Sequence, residues 1–149
     1  MSRTVYAIVW GGLLCGALDA AAASLFLRAQ GVSPIRVWQG VASGLKGESA
    51  FRQGWRSVSL GLILHFLIAF VAAAFFCVGV RFARGVLNAP VAAGVLYGFV
   101  VFLVMNFIVI PLSARPKRPF TVSGVVGQLL IHALWVGLPI SLSASHFLK

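Results

Sequence analysis

In GLILHFLIAF, Gly61 to Phe70, a single histidine interrupts nine residues that carry no polar side chain. The apolar run extends outward to Val58 and Val80. That is long enough to cross a hydrocarbon core of about 30 Å, which takes about 20 apolar residues in a helix. Three further segments meet the same condition, giving spans at 4–27, 58–80, 91–112 and 122–142. In the bilayer every backbone N–H and C=O must be paired within the protein, so these segments read as helices and not as open strands. Pro111 and Pro139 fall near span ends, where the loss of one backbone bond is tolerated.

Composition agrees. Of 149 residues 60% are hydrophobic and 9% charged, and the mean hydropathy is +1.02, beyond what a soluble domain can hide. The fold class expected is an all-α integral membrane domain over 1–149, with four transmembrane helices arranged as two tandem hairpins and one interfacial amphipathic helix. The isoelectric point near 11.5 reflects twelve Lys and Arg residues spread between the apolar runs. That pattern is one of topology and contact with anionic lipid headgroups, and nucleic acid is not the expected partner. The N-terminal stretch MSRTVYAIVWGGLLCGALDAAAAS has the outline of a signal peptide, but its apolar part is too long and Asp19 interrupts it, so it is read as the first span. Cys15 and Cys77 both lie in apolar runs and lack a CxxC partner, which argues against disulfide, zinc or redox roles.

The first connection carries the non-spanning helix at 33–46. Ser33 then Pro34 is a helix start, and Gly47 a stop. Ile35, Trp38, Val41, Ala42 and Leu45 recur at helical spacing, with Arg36, Gln39, Ser43 and Lys46 on the other side. The expected placement is on the membrane surface with Trp38 at headgroup depth, the alternative being a docking helix for a partner protein. Connections one and three hold Arg28, Arg36, Lys46, Arg52, Arg56, Arg115, Lys117 and Arg118, against Arg3, Arg81, Arg84 and Lys149 on the opposite face. The positive-inside rule therefore puts the long connections in the cytoplasm and both termini in the periplasm.

The two halves resemble one another. GGLLCG and AGVLYG each contain a GxxxG pair, Gly12 with Gly16 and Gly94 with Gly98, early in the first helix of a hairpin. LILHFLIAF and LLIHALWVG set His65 and His132 in similar frames in the second helix. Two helices per half make the repeats parallel, related by an axis along the membrane normal. The glycines read as helix-packing residues, since small side chains let backbones approach where lipid gives no drive to associate.

Depth along the helices groups the polar residues. At 1.5 Å per residue, Asp19, His65, Asn106, Gln128 and His132 fall about 12, 10, 9, 9 and 15 Å from one face. Polar groups at that depth turn inward and pair. Three readings stay open: hydrogen-bonded glue that organises a four-helix bundle; a proton or small-ion relay through Asp19 and the histidines; and a bis-histidine haem b site, with His65 and His132 as the iron ligands of an electron carrier. The two histidines differ in depth by about one turn, which weighs against haem. Zinc would need ligands beyond the histidines and Asp19. Neither GxSxG, a P-loop, HExxH nor a dinucleotide fingerprint is present. With Asp19 and Glu48 as the side-chain carboxyls, a two-carboxylate mechanism is nearly excluded. The chain is thus expected to be a non-catalytic structural or accessory protein without a cofactor, with a homo-oligomer or larger membrane complex left open.

The segments LGLILHFLIAFVAAAFF, AAGVLYGFVVFLVMNFIVIPLS and GQLLIHALWVGLP, over roughly Leu60 to Pro139, resemble small bacterial inner-membrane proteins of the YagU type. The likeness rests on His65 within a helix, a small-residue helix ending at Pro111 and Leu112, and a glycine five residues before His132 ahead of Trp135. The resemblance implies a multi-pass location in a bacterial inner membrane and no molecular activity.

Overall fold

The computed structural model describes residues 2–149 apart from Arg118 and Phe120. Arg118, one of the basic residues counted above, therefore lies outside the described residues. The chain is a four-helix membrane-spanning bundle with one additional helix that does not span, and no strand occurs among the described residues. The spanning helices are α1 (Arg3–Ala29), α3 (Trp55–Val80), α4 (Pro90–Leu112) and α5 (Val122–Leu148), and α2 (Pro34–Lys46) is the short one.

Local chemistry sets the ends. Ser2, Ser33 and Thr121 accept hydrogen bonds from the N–H groups of Val5, Arg36 and Gly124, which caps α1, α2 and α5. Gly47 closes α2 at φ 59° and Gly54 precedes α3 at φ 55°, backbone angles that a side chain would resist. Because α3 starts at Trp55, three residues before the expected Val58, His65 sits one turn deeper than its expected depth.

Helix α5 runs to Leu148, six residues past the expected end at Leu142. Its last turns, SLSASHFL, look polar, yet their hydroxyls bond to neighbouring segments. Ser143 donates to the carbonyl of Ala7 at 3.0 Å, Ser141 to that of Pro90 at 2.8 Å and Ser145 to that of Leu87 at 3.2 Å. Paired in this way, serines are at home in a buried helix.

In the bundle α1 packs between α3 and α5, and α4 packs against α5. The core of Cys15, Ala69, Ala73, Cys77, Val136, Ile140 and Ala144 lies among α1, α3 and α5, toward the end that holds the N-terminus. Between α3 and α4 the main link is Tyr97, whose hydroxyl donates to the Ala72 carbonyl at 2.7 Å and whose ring meets Phe76 edge-on at 4.8 Å. Many outward side chains, among them Leu96, Phe75 and Phe107, are exposed at the lipid-facing surface.

Helix α2, the one that does not span, lays its small and polar side on the bundle. Its backbone settles on Gly61 of α3, where an added Cβ would collide with the Trp38 carbonyl oxygen. Trp38 turns toward the bundle and meets the His65 ring edge-on at 5.4 Å, ten residues along α3. Gln39 and Ser43, expected to face water, are buried against protein, whereas Ile35 and Leu45 stay exposed. The Ser43 hydroxyl is satisfied by the Gly40 carbonyl of its own helix at 2.7 Å, so its burial leaves no unpaired donor. The Gly44 carbonyl also accepts from the Ala114 N–H just past α4, which ties α2 to the third connection.

Candidate functional site

The polar residues divide between contacts that join helices and contacts that stay within one. Asp19 lies ten residues before Ala29, His65 ten after Trp55 and His132 ten after Val122. All three therefore sit about 15 Å along their helices from the same side, about half of the hydrocarbon thickness. The one-turn offset expected between the histidines is absent.

His65 is the residue that joins. Its Nε2 is 2.8 Å from the carbonyl oxygen of Gly16 on α1, and its Nδ1 faces Asp19 Oδ2, also on α1, at 3.8 Å. A carbonyl oxygen only accepts, so Nε2 must carry hydrogen and Nδ1 is the nitrogen turned to the carboxyl. At 3.8 Å the two atoms are within ion-pair reach and beyond hydrogen-bond distance. Gly16 makes this contact accessible because its backbone has no side chain in the way. The neighbouring Phe66 ring packs against the same glycine, 2.6 Å from where a Cβ would stand, and meets His65 edge-on at 5.5 Å. Trp38 covers the histidine from α2. Both partners are mostly buried, at 13% and 19% side-chain exposure, consistent with an interior pair.

His132 and Asn106 behave differently. Nδ1 of His132 donates to the Gln128 carbonyl of its own helix at 2.8 Å, and Nδ2 of Asn106 donates to the Phe102 carbonyl at 2.9 Å. Both lie in wide π turns, His132–Gly137 and Met105–Val109, each of which ends two residues before a proline. A proline lacks the N–H for the usual backbone bond, and a wider turn accommodates the change in register. Gln128 takes part through its backbone. Of the three ionisable groups, Asp19 and His65 are the ones that face each other as a pair. With His65 Nε2 bonded to Gly16 and His132 bonded through Nδ1, the two rings are not arranged as opposed ligands with both Nε2 atoms free, and the haem reading gains no support. No group of three or more metal-ligating side chains occurs among the described residues.

The glycine pairs sit at two kinds of contact. Gly12 and Gly16 lie under the rings of Phe70 and Phe66 on α3. Gly94 and Gly98 meet backbone on α5: a Cβ on Gly94 would stand 2.7 Å from the Leu138 Cα and one on Gly98 would meet the His132 carbonyl oxygen, while Gly137 closes on Gly94 and Gly98 from the other side. Gly61, Gly137, Tyr97 and the serines of α5 carry helix contacts that were not singled out from the sequence. A signal was there for Gly61: Ser57, Gly61, His65, Ala69, Ala73 and Cys77 recur every four residues along α3, a small or polar stripe on one face.

No protein-family model, no curated protein and no solved structure matches the chain.

Proposed function

We propose that the chain is a non-catalytic structural or accessory protein of a bacterial inner membrane, in which the Asp19–His65 pair locks α1 to α3 and seats α2. One observation carries the reading. Both ring nitrogens of His65 are directed at α1, to the Gly16 carbonyl and to Asp19, while Trp38 packs on the same ring. Three helices thus meet at one side chain. Asn106 and His132 bond within their own helices, which favours separate contacts over a continuous proton path. The inner-membrane placement, with both termini periplasmic, rests on the charge bias of the connections and on the resemblance to YagU-type proteins. The exposed apolar face of α4 leaves room for a homo-oligomer or a larger membrane complex.

A double-mutant cycle on Asp19→Asn and His65→Leu, followed by thermal unfolding in detergent, tests this. Side chains that act as one unit give effects that do not add. Additive losses would contradict the lock.

The second reading is a proton conductor, and the facing of His65 Nδ1 and Asp19 Oδ2 favours it. Two ionisable groups facing each other halfway through a bilayer are what a relay would use. Flux measurements separate the two readings.

A further inference from the structure

We propose that the end of the bundle opposite the basic connections binds one anionic phospholipid, its phosphate held by Arg81 and Arg84 and an acyl chain lying in the groove between α3 and α4. The assignment rests on the membrane placement of the chain and is independent of the Asp19–His65 pair. A recess of about 410 Å³ opens here among the ends of α1, α3 and α5, lined by Thr4, Arg81, Arg84, Leu87 and Leu148. Two guanidinium-bearing residues therefore line a hollow whose other walls are mainly apolar. Neither has an ion-pair partner among the described residues. The side-chain carboxyls are elsewhere, Asp19 beside His65 and Glu48 in the first connection.

Arg81 follows the last residue of the spanning helix α3, which places its charge at headgroup level. Phe82 beside it is 88% exposed. A second hollow, about 400 Å³ and lined by Phe76, Val86, Ala92, Leu96 and Val100, runs between α3 and α4. The turn Arg84–Asn88 separates the two, with Val86 lining the groove and Leu87 the recess. From Ala89 to Val100 the groove follows eleven residues of chain, about 16 Å in a helix, close to half of a ~30 Å hydrocarbon core. A hollow one leaflet long beside an unpaired cationic recess matches a molecule with an anionic head and an apolar tail. A free inorganic anion would use the recess and leave the groove unexplained. Arginine suits the head because its planar fork pairs with phosphate oxygens.

The test is native mass spectrometry of protein released from nanodiscs of phosphatidylglycerol and phosphatidylcholine in equal amounts. The parent should retain one phosphatidylglycerol in preference to phosphatidylcholine. Replacing both arginines (R81Q/R84Q) should lower that preference roughly tenfold or more, as expected for removing two cations from a lipid headgroup. Filling the groove with Ala92→Trp should also reduce retention while the arginines remain. Both changes are at exposed positions, and circular dichroism checks the fold. Equal retention of the two lipids by the parent, unchanged retention in R81Q/R84Q, an equal loss in the R52Q/R56Q control at the other end, or displacement of the lipid by millimolar inorganic phosphate would each overturn the assignment.

Discussion

His65 on α3 reaches the carbonyl oxygen of Gly16 on α1 at 2.8 Å, a contact in which one helix donates a side-chain hydrogen to the backbone of another. The carbonyl keeps its place in the α1 ladder because a carbonyl oxygen has two lone pairs. Replacing His65 by Leu removes that donor and leaves Asp19 facing an apolar side chain. The expected loss is about 1 kcal/mol, in the range of intramembrane hydrogen bonds, read as a lower midpoint of thermal unfolding in detergent. His65→Gln, which retains a donor, should recover part of it. A His65→Leu variant that melts with the parent would remove the contact from any account of stability.

The two GxxxG pairs should respond unequally. Gly94 and Gly98 face backbone on α5, which cannot rotate away, whereas Gly12 and Gly16 face the rings of Phe70 and Phe66, which can. Overpacking of a close contact typically costs about 1–3 kcal/mol. Gly98→Ala should therefore lower the unfolding midpoint more than Gly16→Ala does. The reverse order would place the tighter contact in the first hairpin.

Gly61 is expected to control the docking of α2. A side chain there meets the Trp38 carbonyl, so Gly61→Leu should lift α2 from α3 while the four spans remain. Hydrogen exchange over residues 34–46 reports this directly: amides in that segment should exchange faster in the variant than in the parent. Unchanged exchange would mean that α2 is held by something other than this contact.

The spans were legible in the sequence because the bilayer imposes a length that few other constraints match. Residues at their ends were less so. The expected end at Leu142 falls within SLSASHFL, and only the partner carbonyls of Ala7, Pro90 and Leu87, distant in sequence, show why its serines stay in α5. Asp19 and His65 were grouped by counting turns, which needs only helix ends. Asn106 and His132 bond instead to carbonyls four residues back on their own helices, an option any polar side chain on a helix has and depth counting cannot reveal. For α2, amphipathicity identified the helix but not its environment. Gln39 and Ser43 are polar enough to read as water-facing, and small neighbours such as Gly40 let that side pack against protein.

Orientation is tested by a reporter fused after Lys149. The excess of Lys and Arg in the first and third connections predicts a periplasmic signal. A cytoplasmic signal would invert the bundle, and the lipid recess at Arg81 and Arg84 would then belong to the inner leaflet.

Proton flux through liposomes tests the central claim most directly, because histidine gains and loses protons near neutral pH and a structural pair and a relay differ in whether that exchange crosses the membrane. The protein is reconstituted, a pH gradient is imposed in each direction, and an internal pH dye is followed. If the Asp19–His65 pair serves to join α1, α2 and α3, liposomes with the parent protein should show no flux above empty liposomes. A pH-driven flux in the parent that His65→Leu abolishes, with the fold intact by circular dichroism, would contradict the structural account and establish the pair as a conducting site.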